Sequence, residues 1–218
     1  MSDPLHIPGI SFCARPEAVQ LQSSQLLTTL STSFFGGGFR RVRHILNVQV
    51  AEDYCSDSPA ADLRAIAIRC GVAQPFVGLL TAVPLRNTRI ATAKESGLHV
   101  AVVLTAGVGN ATSAGVSRPF ASGPGTINSI VLLDAKLTRA AMVNAVLTAT
   151  EAKTAVLQEL GIRTPDGVLA TGTSTDTVTV AITGRGPALP YAGPATTTGW
   201  LIASTLRRAL KQALLAAA

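Results

Sequence analysis

The chain has 218 residues, of which 47% are hydrophobic and 14% are charged, and its formal net charge is +6. This length suits one domain that buries most of its apolar surface, and it does not require a second domain. Every apolar run is short and interrupted, which argues against a membrane-spanning segment, and the N-terminus lacks the basic and apolar regions of a secretory signal. We therefore expect a cytoplasmic protein.

The cysteines and histidines argue against a metal centre. Cys13, Cys55 and Cys70 are an odd number without the spacing of zinc ligands, so we expect reduced thiols. The three histidines lie far apart in the sequence, and no pair has the helical spacing of a hydrolytic metal motif. We expect no metal and no cofactor, and a metal site is the less favoured alternative.

The positive charge would suit an anionic partner, but the sequence gives little support for nucleic acid. Aromatic residues make up 4% of the chain, which offers few side chains for base stacking, and no recognition motif is present. We therefore expect no nucleic-acid partner, and the positive charge has no explanation in the sequence.

The N-terminal part of the chain is rich in turn-forming residues. Prolines and the glycine run at 36–38 interrupt it, so an irregular segment is predicted for residues 1–38 and a single domain for residues 39–218. A strand is predicted over residues 39–50, in which strict alternation puts Asn47 on the same face as Arg41 and Arg43.

A short helix over residues 60–70 is followed by three predicted strands with short links, which favour an antiparallel meander: residues 76–83, 88–95 and 98–106. Gly107, Gly109 and Asn110 come where the third strand ends. Glycines there allow backbone N–H groups to approach a ligand, and an ordinary turn is the alternative.

The next part of the chain predicts a strand and a long helix. The strand covers residues 127–133, and the helix runs from an N-cap at Thr138 to Gly161. The helix is expected to bury one apolar stripe, formed by Val143, Val146, Leu147, Leu157 and Leu160.

Three polar residues of this helix recur on one face. Asn144, Thr148 and Glu151 have i, i+4 and i+7 spacing, and their stripe borders the predicted buried side. Glu151 is therefore a candidate to reach a pocket. The alternative is a solvated helix glutamate.

The segment TGTSTDTVTVA at residues 171–181 is the most informative of the chain. Period-two alternation puts Asp176 on the apolar face of a strand, where its carboxylate needs hydrogen bonds, and the hydroxyls of Thr173, Ser174 and Thr175 are close enough in sequence to provide them. Such a carboxylate is a candidate acid, base or orienting group. The alternative is a turn closed by local side-chain to backbone hydrogen bonds.

The final part repeats the order strand then helix, with a helix predicted over residues 196–214. Together with the earlier elements, this order predicts an α+β (mixed α/β) single domain in which helices pack on a mixed, largely antiparallel sheet.

Several of these segments together carry a resemblance to a known family. They are LNVQV at 46–50, TAGVGNATSAG at 105–115, the strand and long helix at 125–161, TGTSTDTVTVA at 171–181, and YAGPATTTGWLIA at 191–203. In these segments the chain resembles the adenosylcobinamide amidohydrolases. The resemblance implies hydrolysis of adenosylcobinamide to adenosylcobyric acid and 1-amino-2-propanol, in corrinoid salvage.

Amide hydrolysis needs an activated nucleophile, a stabilised oxyanion and an acid for the leaving amine. In one hypothesis Thr173 or Ser174 is the nucleophile, with Asp176 or Glu151 as its base and orienting group. In a second hypothesis Glu151 or Asp176 activates water. No G-x-S-x-G elbow is present, which lowers the expectation of an α/β-hydrolase type serine enzyme.

Substrate contacts are expected from further polar side chains in the matching segments. These are Asn47, Asn110, Asn128, Asn144, Thr171, Thr175 and Tyr191. Asn47, Asn110 and Asn128, together with glycine N–H groups, are candidates to hold the oxyanion.

Two other functions stay open. One is a non-catalytic corrinoid-binding protein, and the other is hydrolysis of a different hydrophobic amide. The expected partner in all these cases is a small molecule, and a homo-oligomer is one alternative for the assembly.

Overall fold

The computed structural model describes residues 3–119 and 125–216. The twelve strands in this part of the chain are β1 (Ile10–Ala14), β2 (Ala18–Ser31), β3 (Gly38–Gln49), β4 (Phe76–Thr81), β5 (Arg89–Glu95), β6 (Leu98–Gly107), β7 (Ala111–Thr112), β8 (Thr126–Leu133), β9 (Lys136–Leu137), β10 (Gly172–Thr173), β11 (Thr177–Ile182) and β12 (Ala188–Leu189). The three α-helices are α1 (Pro59–Arg69), α2 (Arg139–Glu159) and α3 (Thr197–Leu215). Among these helices, none is both long enough and apolar enough to cross a membrane.

Eight strands form one mixed sheet. Seven of them follow the order β4-β3-β2-β11-β8-β6-β5, and β1 pairs with the first half of β2. The β3–β4 and β8–β11 pairs are parallel, and the other pairs of this sheet are antiparallel. The parallel β8–β11 pair is joined by α2, which is the βαβ connection expected for parallel neighbours. The predicted α+β class, with a largely antiparallel sheet, is confirmed.

The sheet curves around an inner core. Ile45 of β3, Val77 of β4 and Ile130 of β8 belong to the same buried cluster, although β4 and β8 are four places apart in the sheet order. The outer face of β8, with Val131 and Leu133, packs under α2 and α3. The outer face of β3 packs under α1. The result is four layers, with helices outside and two halves of the curved sheet inside.

The ends of α2 and α3 agree with the sequence prediction. The Thr138 hydroxyl accepts a hydrogen bond from the Ala141 N–H at 3.1 Å, and Thr196 caps α3 by accepting from the Gly199 N–H at 3.0 Å. Gly161, at φ +65°, follows α2 in the left-handed conformation that favours glycine at a helix end.

The N-terminal prediction is wrong. Residues predicted to be irregular contain β1 and the fourteen-residue β2, which lies inside the sheet between β3 and β11. The three-strand meander is also only partly right. Strands β5 and β6 form the predicted hairpin, but β4 pairs in parallel with β3 instead.

Two predictions about faces are also wrong. Val143 and Leu147 of α2 are 46% and 55% exposed, because the helix buries its alanine stripe instead. Asn47 is buried toward the inner core, whereas Arg41 and Arg43 are exposed. The β2–β3 register shifts opposite residues 42–44, so strict alternation does not continue along β3.

Candidate active site

One end of the curved sheet collects most of the polar segments. Strands β3, β4 and β6 end there, while β8 and β11 begin there, since Asn128 of β8 is level with Thr105 of β6 and Thr177 of β11. The loops at this end include residues 50–54, 82–84, 107–110 and 172–176. The fold therefore brings together segments that are far apart in the sequence.

A buried polar layer closes the inner core at this end. The Asn128 Nδ2 donates to Asn47 Oδ1 at 2.8 Å and to the Leu80 carbonyl at 2.7 Å. The Asn47 Nδ2 donates to Thr105 Oγ1 at 3.0 Å, and the Thr177 hydroxyl donates to Asn128 Oδ1 at 2.7 Å. Because Asn47 and Asn128 are 3% and 1% exposed, these bonds satisfy groups that water does not reach.

Asp176 lies at the centre of a second cluster. Its Oδ1 accepts from the Ile127 N–H at 3.0 Å and from the Thr173 hydroxyl. Its Oδ2 accepts from the Thr173 N–H at 3.0 Å and from the Lys153 ammonium of α2. The Asp176 and Lys153 side chains are 11% and 9% exposed, so this ion pair is nearly buried.

This cluster fixes the segment before β11 to β8 and α2. A carboxylate offers about four acceptor positions, and donors from this chain occupy four in Asp176. Gly172 lies directly against the ion pair, because a Cβ there would be 2.6 Å from Asp176 Oδ2 and 2.8 Å from Lys153 Nζ. The arrangement is suited to holding Thr173 and its neighbours in place.

Asn110 connects the loop after β6 to the loop before β11. Its Nδ2 donates to the Gly125 carbonyl at 2.8 Å and to Ser174 Oγ at 2.7 Å, while the Thr175 hydroxyl donates to the Gly125 carbonyl at 3.0 Å. The Asn110 side chain is buried, and its Oδ1 has no hydrogen-bond partner among the described residues. Thr171 is tied to the neighbouring loop, because its hydroxyl accepts from the Ala114 N–H at 2.9 Å.

A cleft with two lobes opens at this end of the sheet. The first lobe, about 190 Å³, has Tyr54, Thr81, Thr126 and Thr175 among its lining residues. The second lobe, about 220 Å³, is lined by residues of the 82–84 and 106–109 segments. Glu52, Ala82 and Gly125 line both lobes, so the lobes meet at these three residues.

Tyr54 has a fixed orientation in this cleft. Its hydroxyl donates to Asp62 Oδ2 of α1 at 2.7 Å. Partial burial, and next the hydrogen bond to Asp62, raise the pKa of Tyr54 above its usual range. The phenol is therefore neutral near pH 7 and presents polar and aromatic surface without a charge.

Of the predicted site residues, only Thr175 lines either lobe, and three lie in other parts of the molecule. Glu151 is exposed, and it is two residues from Lys153, about 200° around α2, so it faces away from Asp176. Asn144 lies nearer the N-terminal end of the same helix. Tyr191 lines a separate cavity of about 540 Å³ beside Asp134 and Arg185, which follow the ends of β8 and β11.

Sequence reasoning missed several polar residues of this region. Lys153 is the clearest case: it belongs to the buried face of α2 with Ala149, Ala152 and Val156, and this alanine-rich stripe was the signal available in the sequence. Thr81, Thr105, Thr126 and Glu52 carried no comparable signal, because each is a single polar residue at the end of a strand or in a loop. Within residues 3–119 and 125–216, no three His, Cys, Asp or Glu side chains form a group that could hold a metal ion.

Comparisons with known proteins agree with the resemblance of the polar segments. The sequence model of the adenosylcobinamide amidohydrolase family matches residues 7–218. The adenosylcobinamide amidohydrolase of Methanosarcina mazei is 33% identical over 187 residues, which are 82% of this chain and 86% of that protein. That of Halobacterium salinarum is 32% identical over 198 residues, which are 85% of this chain and 79% of that protein.

The fold also has a counterpart among solved structures. The crystal structure of the PH0078 protein from Pyrococcus horikoshii OT3 aligns with 99% of this chain and 81% of its own, with a TM-score of 0.52 and 13% sequence identity. At that identity the likeness concerns the fold alone. The family match and the two relatives together show that the chain belongs to the adenosylcobinamide amidohydrolase family.

Proposed function

We propose that this protein hydrolyses the amide bond between the corrinoid and 1-amino-2-propanol in adenosylcobinamide, giving adenosylcobyric acid for corrinoid salvage. One observation carries the proposal besides family membership. Four of the five segments that carry the resemblance contribute to the same end of the sheet, through Asn47, Asn110, Asn128 and Asp176.

The cleft suits the amide-bearing arm of such a substrate. A corrin macrocycle is far larger than either lobe, so the ring stays outside while a flexible arm enters. Thr81, Thr126 and Thr175 line the first lobe, and the exposed Thr175 has a hydroxyl oxygen able to bond the amide or the terminal alcohol. Asn128 and Asn47 contribute indirectly, because their hydrogen bonds hold in place the strand ends next to these threonines.

The two catalytic hypotheses differ in how well the geometry supports them. Thr173 donates its hydroxyl proton to Asp176, which is the nucleophile-to-base contact that the first hypothesis needs. Thr173 is only 8% exposed, however, and does not line either lobe. Direct activation of water by Asp176 has less support, because its acceptor positions are occupied. We therefore favour Asp176 as a positioning residue.

The test is turnover of adenosylcobinamide by the purified protein, with and without a chelator, with both products followed by mass spectrometry. We expect adenosylcobyric acid and 1-amino-2-propanol in equal amounts, at a rate that the chelator does not change and with no added cofactor. Binding without products would instead identify a corrinoid carrier, and turnover of other amides alone would identify a different substrate.

Variants separate catalysis from positioning. Asp176→Asn is expected to lose most activity together with stability, whereas Glu151→Gln is expected to keep both, because Glu151 is exposed on α2. Thr173→Val tests the nucleophile hypothesis, since it removes the hydroxyl and keeps the shape.

The cytoplasmic location stays a prediction from the sequence.

A further inference from the structure

Glu52 has a position in the cleft that the predicted catalytic carboxylates lack. It lines both lobes, and among the described residues that line them it is the only carboxylate. An arm that extends from one lobe into the other passes this side chain. The bond to be cleaved therefore lies near Glu52 if the arm occupies both lobes.

The Glu52 carboxylate is also available for chemistry. Within the described residues it accepts no hydrogen bond and forms no ion pair, in contrast to Asp176, which accepts four hydrogen bonds. Glu52 itself is exposed, so water reaches its oxygens. A base in amide hydrolysis must hold a water molecule in this way, next to the carbonyl carbon.

The other ionisable group of the cleft does not suit this role. Tyr54 donates its proton to Asp62 and has a raised pKa, so it does not accept a proton from water near pH 7. Glu151 lies on the exposed face of α2, away from both lobes. Among the described residues that line the two lobes, Glu52 is therefore the group able to act as a base.

We infer that Glu52 is the general base and acid of the amide hydrolysis, an inference that rests on the proposed function. Glu52 takes one proton from a water molecule as the water oxygen forms a bond to the amide carbon. When the carbon–nitrogen bond breaks, the same proton passes from Glu52 to the nitrogen of the departing 1-amino-2-propanol. The new carboxylic acid releases its remaining proton to solvent, and Glu52 returns to its carboxylate form.

The experiment compares Glu52→Gln with Asp53→Asn. The two positions are neighbours in the same exposed loop and the chemical change is the same, but Asp53 does not line the cleft. We expect Glu52→Gln to lower kcat by about 100-fold or more while the affinity for adenosylcobinamide changes little, since general acid–base catalysis contributes this much. Asp53→Asn is expected to keep the activity of the unchanged protein.

Two further readouts distinguish catalysis from a structural effect. Glu52→Gln should unfold at the same temperature as the unchanged protein, and Glu52→Asp should keep part of the activity.

The outcomes separate this inference from the proposed function. Full turnover by Glu52→Gln, in an assay where the unchanged protein turns over adenosylcobinamide, overturns the role of Glu52 alone. An equal loss in Asp53→Asn also overturns it, because the effect would then come from the charge of the loop. No turnover by the unchanged protein overturns the proposed function, and the role of Glu52 with it.

Discussion

Asp176→Asn tests the buried ion pair most directly. The substitution keeps the shape of the side chain but leaves the Lys153 ammonium, 9% exposed, without its counter-charge. Asparagine also has a single acceptor oxygen, so its Nδ2 must face one of the two donor pairs that the carboxylate now satisfies. Removing one partner of a buried pair costs about 3–5 kcal/mol in the free energy of unfolding. For a domain of this size, that lowers Tm by roughly 6–20 °C.

Lys153→Met provides the comparison, because it removes the ammonium and leaves the carboxylate with three donors. Because three donors still stabilise the carboxylate, we expect a loss at the lower end of the range for breaking a buried pair, about 3 kcal/mol. Urea unfolding followed by circular dichroism measures both variants, with the exposed Asp166→Asn as the control, expected to change stability by less than about 0.5 kcal/mol. A loss below about 1 kcal/mol in Asp176→Asn, or a larger loss in Lys153→Met, would refute this reasoning.

Three further predictions concern the glycine beside the ion pair, the buried polar layer and a histidine of β3, His44. Gly172→Ala places a methyl group too close to both ion-pair atoms, so we expect a loss of about 2 kcal/mol in the free energy of unfolding. Gly193→Ala, where nothing lies within 4 Å of the added methyl group, should change stability little, and equal unfolding midpoints in urea for the two variants would contradict this. Asn128→Ala leaves several buried polar groups without a hydrogen-bond partner, and each lowers the free energy of unfolding by about 1–3 kcal/mol. A thermal melt that matches the unchanged protein would show that the polar layer does not stabilise the fold. Burial, and next the positive charge of Arg43, lower the pKa of His44 below 6.5. The unfolded chain therefore takes up the proton first, and stability is lost as pH falls from 6.5 toward the lowered pKa. His44→Gln should therefore reduce the drop in Tm between about pH 7.5 and pH 5.5, and an undiminished drop would exclude His44 as a contributor.

The sequence predicts local structure better than strand partners. The period, capping threonine and terminal glycine of α2 are all local signals, and the structure has the helix within a residue of its predicted ends. The partner of β4 is not a local property. A short link favours pairing with the next strand along the chain. Strand β4 instead lies parallel to β3, because both strands bury one face in the inner core and the other face against α1.

The candidate site shows the same limit. Period-two alternation singled out Asp176 and the hydroxyls near it, and the resemblance added Asn128; the structure brings them to one end of the sheet. Lys153 was missed because a lysine is rarely buried unless it is paired, and its partner is 23 residues away in the sequence. Glu52 was missed for a different reason. It is a loop residue, and it lines the cleft only because strands far away in the sequence bring the other lining segments beside it.

The position of β2 has a consequence for how the molecule is made. Its Ser31 side chain bonds Thr179 of β11, which is 148 residues later in the chain. On the ribosome, β2 is synthesised long before β11, so the second half of one of its edges has no partner until most of the protein has emerged. Contacts this distant in sequence slow folding, and an unpaired strand edge invites association with other chains. The polar cluster around Asp176 therefore assembles late, and a chain that stops before β11 has a sheet open along the second half of β2 and lacks the strand that begins beside this cluster.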